Sequence, residues 1–217
     1  MPLATGRAST LVYDDIRAKI IAGELHSGTG LIETDLAEQY GVSRSTVKKA
    51  LLMLEGENLV SIELNKGAKV RTYSLEEVLE YLEVRGALEG LIASLATQVI
   101  SAEDIVALSK CFEEMQASAE NQTIMECSKH NQEFHEIIYN ACPNRTLVNI
   151  TVTLKNQMSK YNAKTILVPG RRKQSLSEHK SILEAISAGE STKAETLMRN
   201  HIANVRKVFE EYYELLF

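Results

Sequence analysis

Tryptophan is absent, proline occurs three times, and aromatic residues make up 6% of the 217-residue chain. So few flat rings argue against a single-stranded nucleic-acid surface built on base stacking. The three cysteines, Cys111, Cys127 and Cys142, are odd in number and widely spaced, with no C-x-x-C pair. That pattern suits reduced thiols in a cytoplasm better than a disulfide frame or a cysteine-based zinc site. No stretch of about 18 consecutive apolar residues exists, so no membrane-spanning helix is expected. The opening MPLATGRASTLVYDD has no apolar core, which predicts no signal peptide and a cytoplasmic location.

Excess positive charge is lacking too: the net charge is −5, which taken alone argues against nucleic acid. Its distribution reverses that inference. Residues 1–73 carry nine basic and nine acidic side chains, whereas residues 74–217 carry fifteen against twenty. Within 41–72 the balance is six basic to three acidic. A local positive patch on an acidic protein is what a small DNA-contacting surface requires.

Periodicity divides the chain near residue 73. The first ten residues read as an arm. Leu11, Val12, Ile16, Ile20 and Ile21 then repeat at helical spacing, and Gly23 and Ser27-Gly28-Thr29-Gly30 interrupt the pattern. A short helix over 33–40 turns inward Leu36, Ala37 and Tyr40. After Gly41-Val42-Ser43, a helix over 44–56 aligns Val47, Ala50, Leu51 and Leu54 on one face. Asn58 is placed to end it in the left-handed region. Val60, Ile62 and Leu64 alternate with polar neighbours, Asn65-Lys66-Gly67 suits a hairpin tip, and Ala68–Tyr73 returns as a second strand. From Ser74 everything reads as helix, with six segments near 74–100, 102–119, 122–142, 144–166, 171–188 and 190–216. The predicted fold is mainly α: an N-terminal winged helix-turn-helix over 1–73 and an antiparallel six-helix bundle over 74–217.

With its apolar face buried, the helix over 44–56 leaves Arg44, Ser45, Lys48 and Lys49 outside. Arg44 stands at the end that enters the major groove in this motif, where a bidentate pair with guanine discriminates by about 1–3 kcal/mol. The Ser43 and Thr46 hydroxyls and the free amides of that helix end suit a phosphate. Asn65, Lys66 and Gly67 form the wing tip that follows the backbone or minor groove. One such helix reads a half-site, so a homodimer on a palindromic double-stranded operator is expected.

The stretch LAEQYGVSRSTVKKALLML (36–54), together with the wing, resembles the GntR family of transcription regulators. The helical remainder resembles the FadR-type (FCD) C-terminal domain in its six-helix form. Ser27-Gly28 replaces the usual Pro-Gly, Thr46 a Pro and Lys48 an Arg, and Thr34 stands where many relatives have a DNA-contacting Arg. These departures predict a different operator sequence with the docking mode kept. The resemblance implies repression relieved by a small ligand.

Three helices each place one histidine where a core residue belongs. His135 lies on the stripe Asn131, His135, Ile138, Cys142; His179 sits with Ile182, Leu183 and Ile186; His201 interrupts Ala194, Leu197, Met198, Val205, Val208. His26 and His130 lie off these stripes and look incidental. One such histidine is commonly a satisfied core residue. Three unpaired imidazoles are expensive to bury unless they meet on a divalent cation, with zinc or nickel the best match. The family resemblance implies Asp-x-x-x-His plus two later histidines as ligands, here Asn131, His135, His179 and His201, with a neutral amide replacing the acid. Arg85 has two readings: an ion pair with Glu89 one turn on, or a guanidinium holding the carboxylate of a small organic acid. In FadR-type regulators the matching Arg often contacts the effector. Two alternatives stand beside this sensor: a metal that is purely structural, and a metal-dependent hydrolase. H-E-x-x-H, a nucleophile elbow and a general base beside the ligands are all missing, so enzymatic activity is not expected.

Arg44→Ala is expected to relax operator preference by about 1–3 kcal/mol. Lys66→Ala should weaken all DNA alike and reduce the salt slope by about one. Binding titrations on specific and scrambled duplexes across salt concentrations separate the two. Equal loss of specificity from both variants would mean that the reading helix lies elsewhere.

Overall fold

The computed structural model describes residues 5–63, 67–121, 123–158, 165 and 167–216, and its backbone resolves into two compact units. The first comprises Met1–Ser74 with Asn156–Lys160, the second Leu75–Lys155 with Tyr161–Phe217.

The first unit runs α1 (Thr5–Ala22), β1 (Gly30–Leu31), α2 (Glu33–Tyr40), α3 (Arg44–Gly56), β2 (Val60–Glu63) and β3 (Gly67–Val70). The expected arm is helix from Thr5 onward, because Ala8 and Val12 extend the buried face of Ile16 and Ile20 by another turn. On α3 the stripe Val47, Ala50, Leu51 and Leu54 is sealed from solvent and packs on α1. Fully burying each of these leucines contributes about 1.5–3 kcal/mol. Leu36, Ala37 and Tyr40 of α2 pack against the same core while remaining partly exposed. Gly41 makes the α2–α3 turn in the left-handed region (φ 62°), and its N–H returns to the carbonyls of Ala37 and Glu38. Asn58 ends α3 with φ 57°, as anticipated. Its carbonyl also accepts the Tyr73 hydroxyl at 2.6 Å.

The strand β1 is an addition to the sequence reading, which took 27–30 as a break. It pairs antiparallel with β3, Gly30 opposite Lys69 and Leu31 opposite Ala68, in a sheet of order β1-β3-β2. A two-residue strand carries too little alternation to be read from sequence. Of the expected wing tip only Gly67 is described; Leu64, Asn65 and Lys66 lie outside the described residues.

The second unit contains α4 (Leu75–Thr97), α5 (Ala102–Glu120), α6 (Ile124–Ala141), α7 (Arg145–Gln157, all but its last two residues), α8 (Arg171–Ser187) and α9 (Ser191–Leu216). Local chemistry sets the ends. The Ser101 hydroxyl accepts the Asp104 N–H at 3.0 Å to open α5, and Asn144 Oδ1 accepts the Leu147 N–H at 3.1 Å to open α7. The helix expected over 144–166 ends at Gln157. The most extensive contact is between α4 and α9, followed by α5 with α6, and α8 packs on both α5 and α9. The shared core includes Ile92, Leu108, Met115, Phe134, Ile138, Ile182 and Met198. Among the described residues no helix is long and apolar enough to cross a membrane.

Two glycines on α4 distinguish close approach from ordinary packing. A Cβ at Gly90 would lie 2.6 Å from Arg199 Cγ and 3.2 Å from the Glu195 carbonyl oxygen of α9, whereas at Gly86 it would meet only Ile202, at 3.6 Å. Gly90→Ala should therefore destabilise by about 1–3 kcal/mol through overpacking. Gly86→Ala should be neutral or stabilise by up to about 1 kcal/mol through helix propensity. Urea unfolding of the two variants checks this; equal midpoints would contradict the α4–α9 geometry.

Candidate functional site

The three stripe histidines come together inside the second unit. His135 from α6, His179 from α8 and His201 from α9 are 1%, 0% and 4% exposed. Their ring centroids lie 4.6–5.4 Å apart, and one ring nitrogen from each falls within 4.8 Å of the others. What the other ring nitrogens touch decides the chemistry. His179 Nδ1 lies 2.7 Å from the Ser175 carbonyl oxygen, and His201 Nδ1 lies 2.7 Å from Glu178 Oε2. Neither oxygen can donate, so both Nδ1 atoms carry the proton and both Nε2 atoms present a bare lone pair. His135 Nδ1 lies 3.1 Å from Glu89 Oε2, which assigns its proton in the same way. The contact is off line, leaving this nitrogen and Glu89 Oε2 without an aligned hydrogen-bond partner. The Nε2 atoms of His135 and His179 face each other at 3.4 Å, and two lone pairs cannot bond to one another.

Burial pushes the imidazoles down to about 4 for His135, about 3 for His179 and about 4 for His201, so all three are neutral at pH 7. Burial opposes charge on Glu89, yet Arg85 and His135 hold its carboxyl well below the usual range. Burial likewise opposes charge on Glu178, but His201 and Arg171 hold it down. Buried neutral imidazoles, each oriented by an oxygen on its far nitrogen, fit a borderline divalent cation such as Zn²⁺ or Ni²⁺.

Beside the imidazoles is a cavity of about 80 Å³. That is room for roughly five to eight waters or a few heavy atoms. Asn131, Arg85, Arg171, Arg172, His135 and His201 contribute to its wall. Both readings of Arg85 have a counterpart here: its Nε is paired with the buried Glu89, and its side chain lines the cavity. Arg171 donates to Glu178 Oε2 at 2.9 Å, while Arg172 has no carboxylate partner among the described residues and donates to the Ala119 carbonyl at 3.3 Å. Sequence reasoning missed Arg171 and Arg172, and it missed Glu178 and Glu89 as supports of the imidazoles. Only Glu178, next to His179, carried any signal.

In the first unit Arg44 is 69% exposed at the start of α3, with Glu33 Oε2 at 3.7 Å. Ser43, Ser45, Lys48 and Lys49 share its exposed face, and Gly67 and Lys69 are exposed on β3. Ser43 caps the helix, its hydroxyl accepting the Thr46 N–H at 3.2 Å. Thr46 departs from the expected phosphate contact: it is buried at 4%, and its hydroxyl lies 2.8 Å from Ser43 Oγ. It steadies the helix end from within.

A helix-turn-helix with a wing, carrying an exposed basic helix, joined to a helical unit with an arginine-lined cavity, defines a DNA-binding regulator with a ligand-binding domain. Comparison with known proteins identifies the family. Residues 8–70 match the model of the bacterial regulatory proteins of the gntR family, and residues 80–204 match the FCD domain. The chain belongs to the FCD-containing GntR regulators. It is 29% identical over 213 residues to the transcriptional regulator LutR of Bacillus subtilis, covering 88% of this chain and 96% of that protein. Identity is also 29%, over 224 residues, to the Glc operon transcriptional activator of Escherichia coli, covering 91% and 87%. The solved structure of E. coli McbR/YncC shares the fold with a TM-score of 0.77 at 22% identity, over 94% of this chain and 98% of that one. These relatives are transcription regulators, not enzymes.

The buried imidazoles carry a pH signature. Unfolded histidine takes up a proton near pH 6.5, and the folded rings resist it until about pH 4 or below. The unfolded chain therefore binds more protons in that window. The stability is fully present above about pH 6.5 and is lost as pH falls through it, by up to about 1.4 kcal/mol per pH unit for each ring. Urea unfolding of chelator-treated protein at pH 7.5 and 5 should show a much lower midpoint at pH 5, restored in part by His179→Gln. A midpoint unchanged between the two pH values would place the rings in water.

Proposed function

We propose that the chain is a metal-dependent, ligand-responsive repressor that releases its operator on binding a small organic acid. The observation that carries this reading is the set of three Nε2 lone pairs turned toward one another beside an arginine-lined cavity. Zinc or nickel is held by His135, His179 and His201, with the Asn131 amide as the oxygen donor. The bound cation supplies a Lewis-acidic anchor for an anionic ligand. Arg85 faces the other end of that ligand, and Arg172, which has no carboxylate partner among the described residues, adds positive charge. Glu89 and Glu178 keep the far nitrogens of His135 and His201 protonated and their Nε2 atoms free.

The chain acts in the cytoplasm as a homodimer on a palindromic operator. Arg44, Ser45, Lys48 and Lys49 meet the major groove, Ser43 meets a phosphate, Thr46 steadies that helix end, and Asn65, Lys66 and Gly67 follow the backbone or minor groove. Ligand binding shifts operator affinity by the difference in its affinity for the two states of the dimer. The sign of regulation is the separable part, since an activator stands among the relatives.

Isothermal titration of small carboxylates into metal-loaded protein tests the sensor, followed by operator binding at constant metal. At least one acid should bind the wild type, bind Arg172→Ala at least tenfold more weakly (about 1.4 kcal/mol), and lower operator affinity. Arg85→Ala should also lose binding, with thermal unfolding as its control because it leaves Glu89 buried and unpaired. No acid binding by the metal-loaded wild type, or acid binding with operator affinity unchanged, would overturn the sensor reading and leave the metal a structural role only.

A further inference from the structure

On α5, Cys111 and Glu114 are three residues apart; on α6, His130 and Glu133 are three residues apart; and the two helices pack together. Residues at i and i+3 share a helix face, so two adjacent helices offer one pair each to a common point. Cys111 Sγ lies 3.2 Å from the His130 carbonyl oxygen, and His130 Nδ1 lies 3.0 Å from Glu133 Oε2 and 3.7 Å from Glu114 Oε2. Cys111 Sγ, a His130 ring nitrogen and a Glu133 oxygen all lie within 4.8 Å of one another. Lys110 and Lys129 sit at 3.8 and 3.6 Å on the Oε1 atoms of Glu114 and Glu133, so each acid turns its Oε2 toward His130. Cys111 is 5% exposed, whereas the side chains of His130, Glu133 and Glu114 are 17%, 38% and 44% exposed, giving a sulfur floor with an open mouth.

We propose that Cys111, Glu114, His130 and Glu133 form a second metal site, one that takes a thiophilic divalent cation such as zinc, cobalt or cadmium. A sulfur, an imidazole nitrogen and two carboxylate oxygens are the donor set of a tetrahedral d-block site, and sulfur disfavours magnesium and calcium. Tetrahedral ligation puts neighbouring ligand atoms roughly 3.3–3.7 Å apart, so the set must contract by about 1 Å. The two glutamates, both partly in water, can supply that movement. Binding replaces the Cys111 S–H bond with a sulfur–metal bond and releases one proton to solvent. Thiolate and two carboxylates bring three negative charges, leaving the loaded site at −1. His130 and His135 lie about 140° apart around α6, so this site is separate from the three-histidine cluster. It does not depend on the reading of that cluster, which contains no sulfur.

Cobalt titration of full-length, reduced, metal-free protein tests the assignment, because only a thiolate ligand gives a sulfur-to-cobalt charge-transfer band in the near ultraviolet. The band should appear in the wild type within two equivalents, because the three-histidine cluster competes for the first, and with one equivalent in His179→Gln, in which the other cluster is broken. Cys111→Ser should abolish it. His130→Ala and Glu133→Gln, at partly exposed positions that leave the core closed, should weaken cobalt binding at this site at least tenfold. No charge-transfer band in the folded wild type, or a band undiminished in His130→Ala and Glu133→Gln, would overturn the proposal. A band kept by Cys111→Ser would do the same, by assigning the sulfur to Cys127 or Cys142.

Discussion

Two bare imidazole nitrogens 3.4 Å apart in a buried site repel each other, and the second unit is built so that they stay there. Rotating His179 or His201 out of this arrangement would break a bond on its far side. For His179 that bond goes to the Ser175 carbonyl one turn earlier in α8; for His201 it goes to Glu178, which is itself held by Arg171 and Asn204. The lone pairs are thus committed inward by groups that never touch the centre. Leaving such polar atoms unsatisfied costs about 1–3 kcal/mol each, a cost that a shared cation removes.

The same constraint organises the charges around it. Glu89 is fully buried and is held ionised chiefly by Arg85 and His135 beside it, so Arg85 and the imidazole cluster are linked through one carboxylate. Anything that draws Arg85 toward a ligand changes the field at His135. In buried networks of this kind the members act together, and removing one costs more than its own contact. The cavity beside them, about 80 Å³, suits a compact occupant better than a long chain.

The DNA-reading unit depends on a simpler device. Its core consumes one face of α3 completely, so the opposite face is free for charge, and Ser43 and Thr46 tie down the end from which Arg44 projects. The surface chemistry is separable from the packing.

The sequence by itself determined the two-part architecture, the buried stripe of α3 and the three helices that carry histidines inward, because helical periodicity is a local property. Helix ends were legible where capping chemistry marks them, as at Ser101 and Asn144. Only the tertiary structure decided which nitrogen of each ring faces the centre, that Glu89 and Glu178 do the orienting, and that Arg171 and Arg172 reach the cavity. It also paired the two-residue β1 with β3 and turned Thr46 inward. His130 makes the difference plain: it lies off every apolar stripe and looked incidental. Its neighbours Cys111 and Glu114 come from another helix, and no spacing along the chain encodes a meeting that depends on how two helices pack.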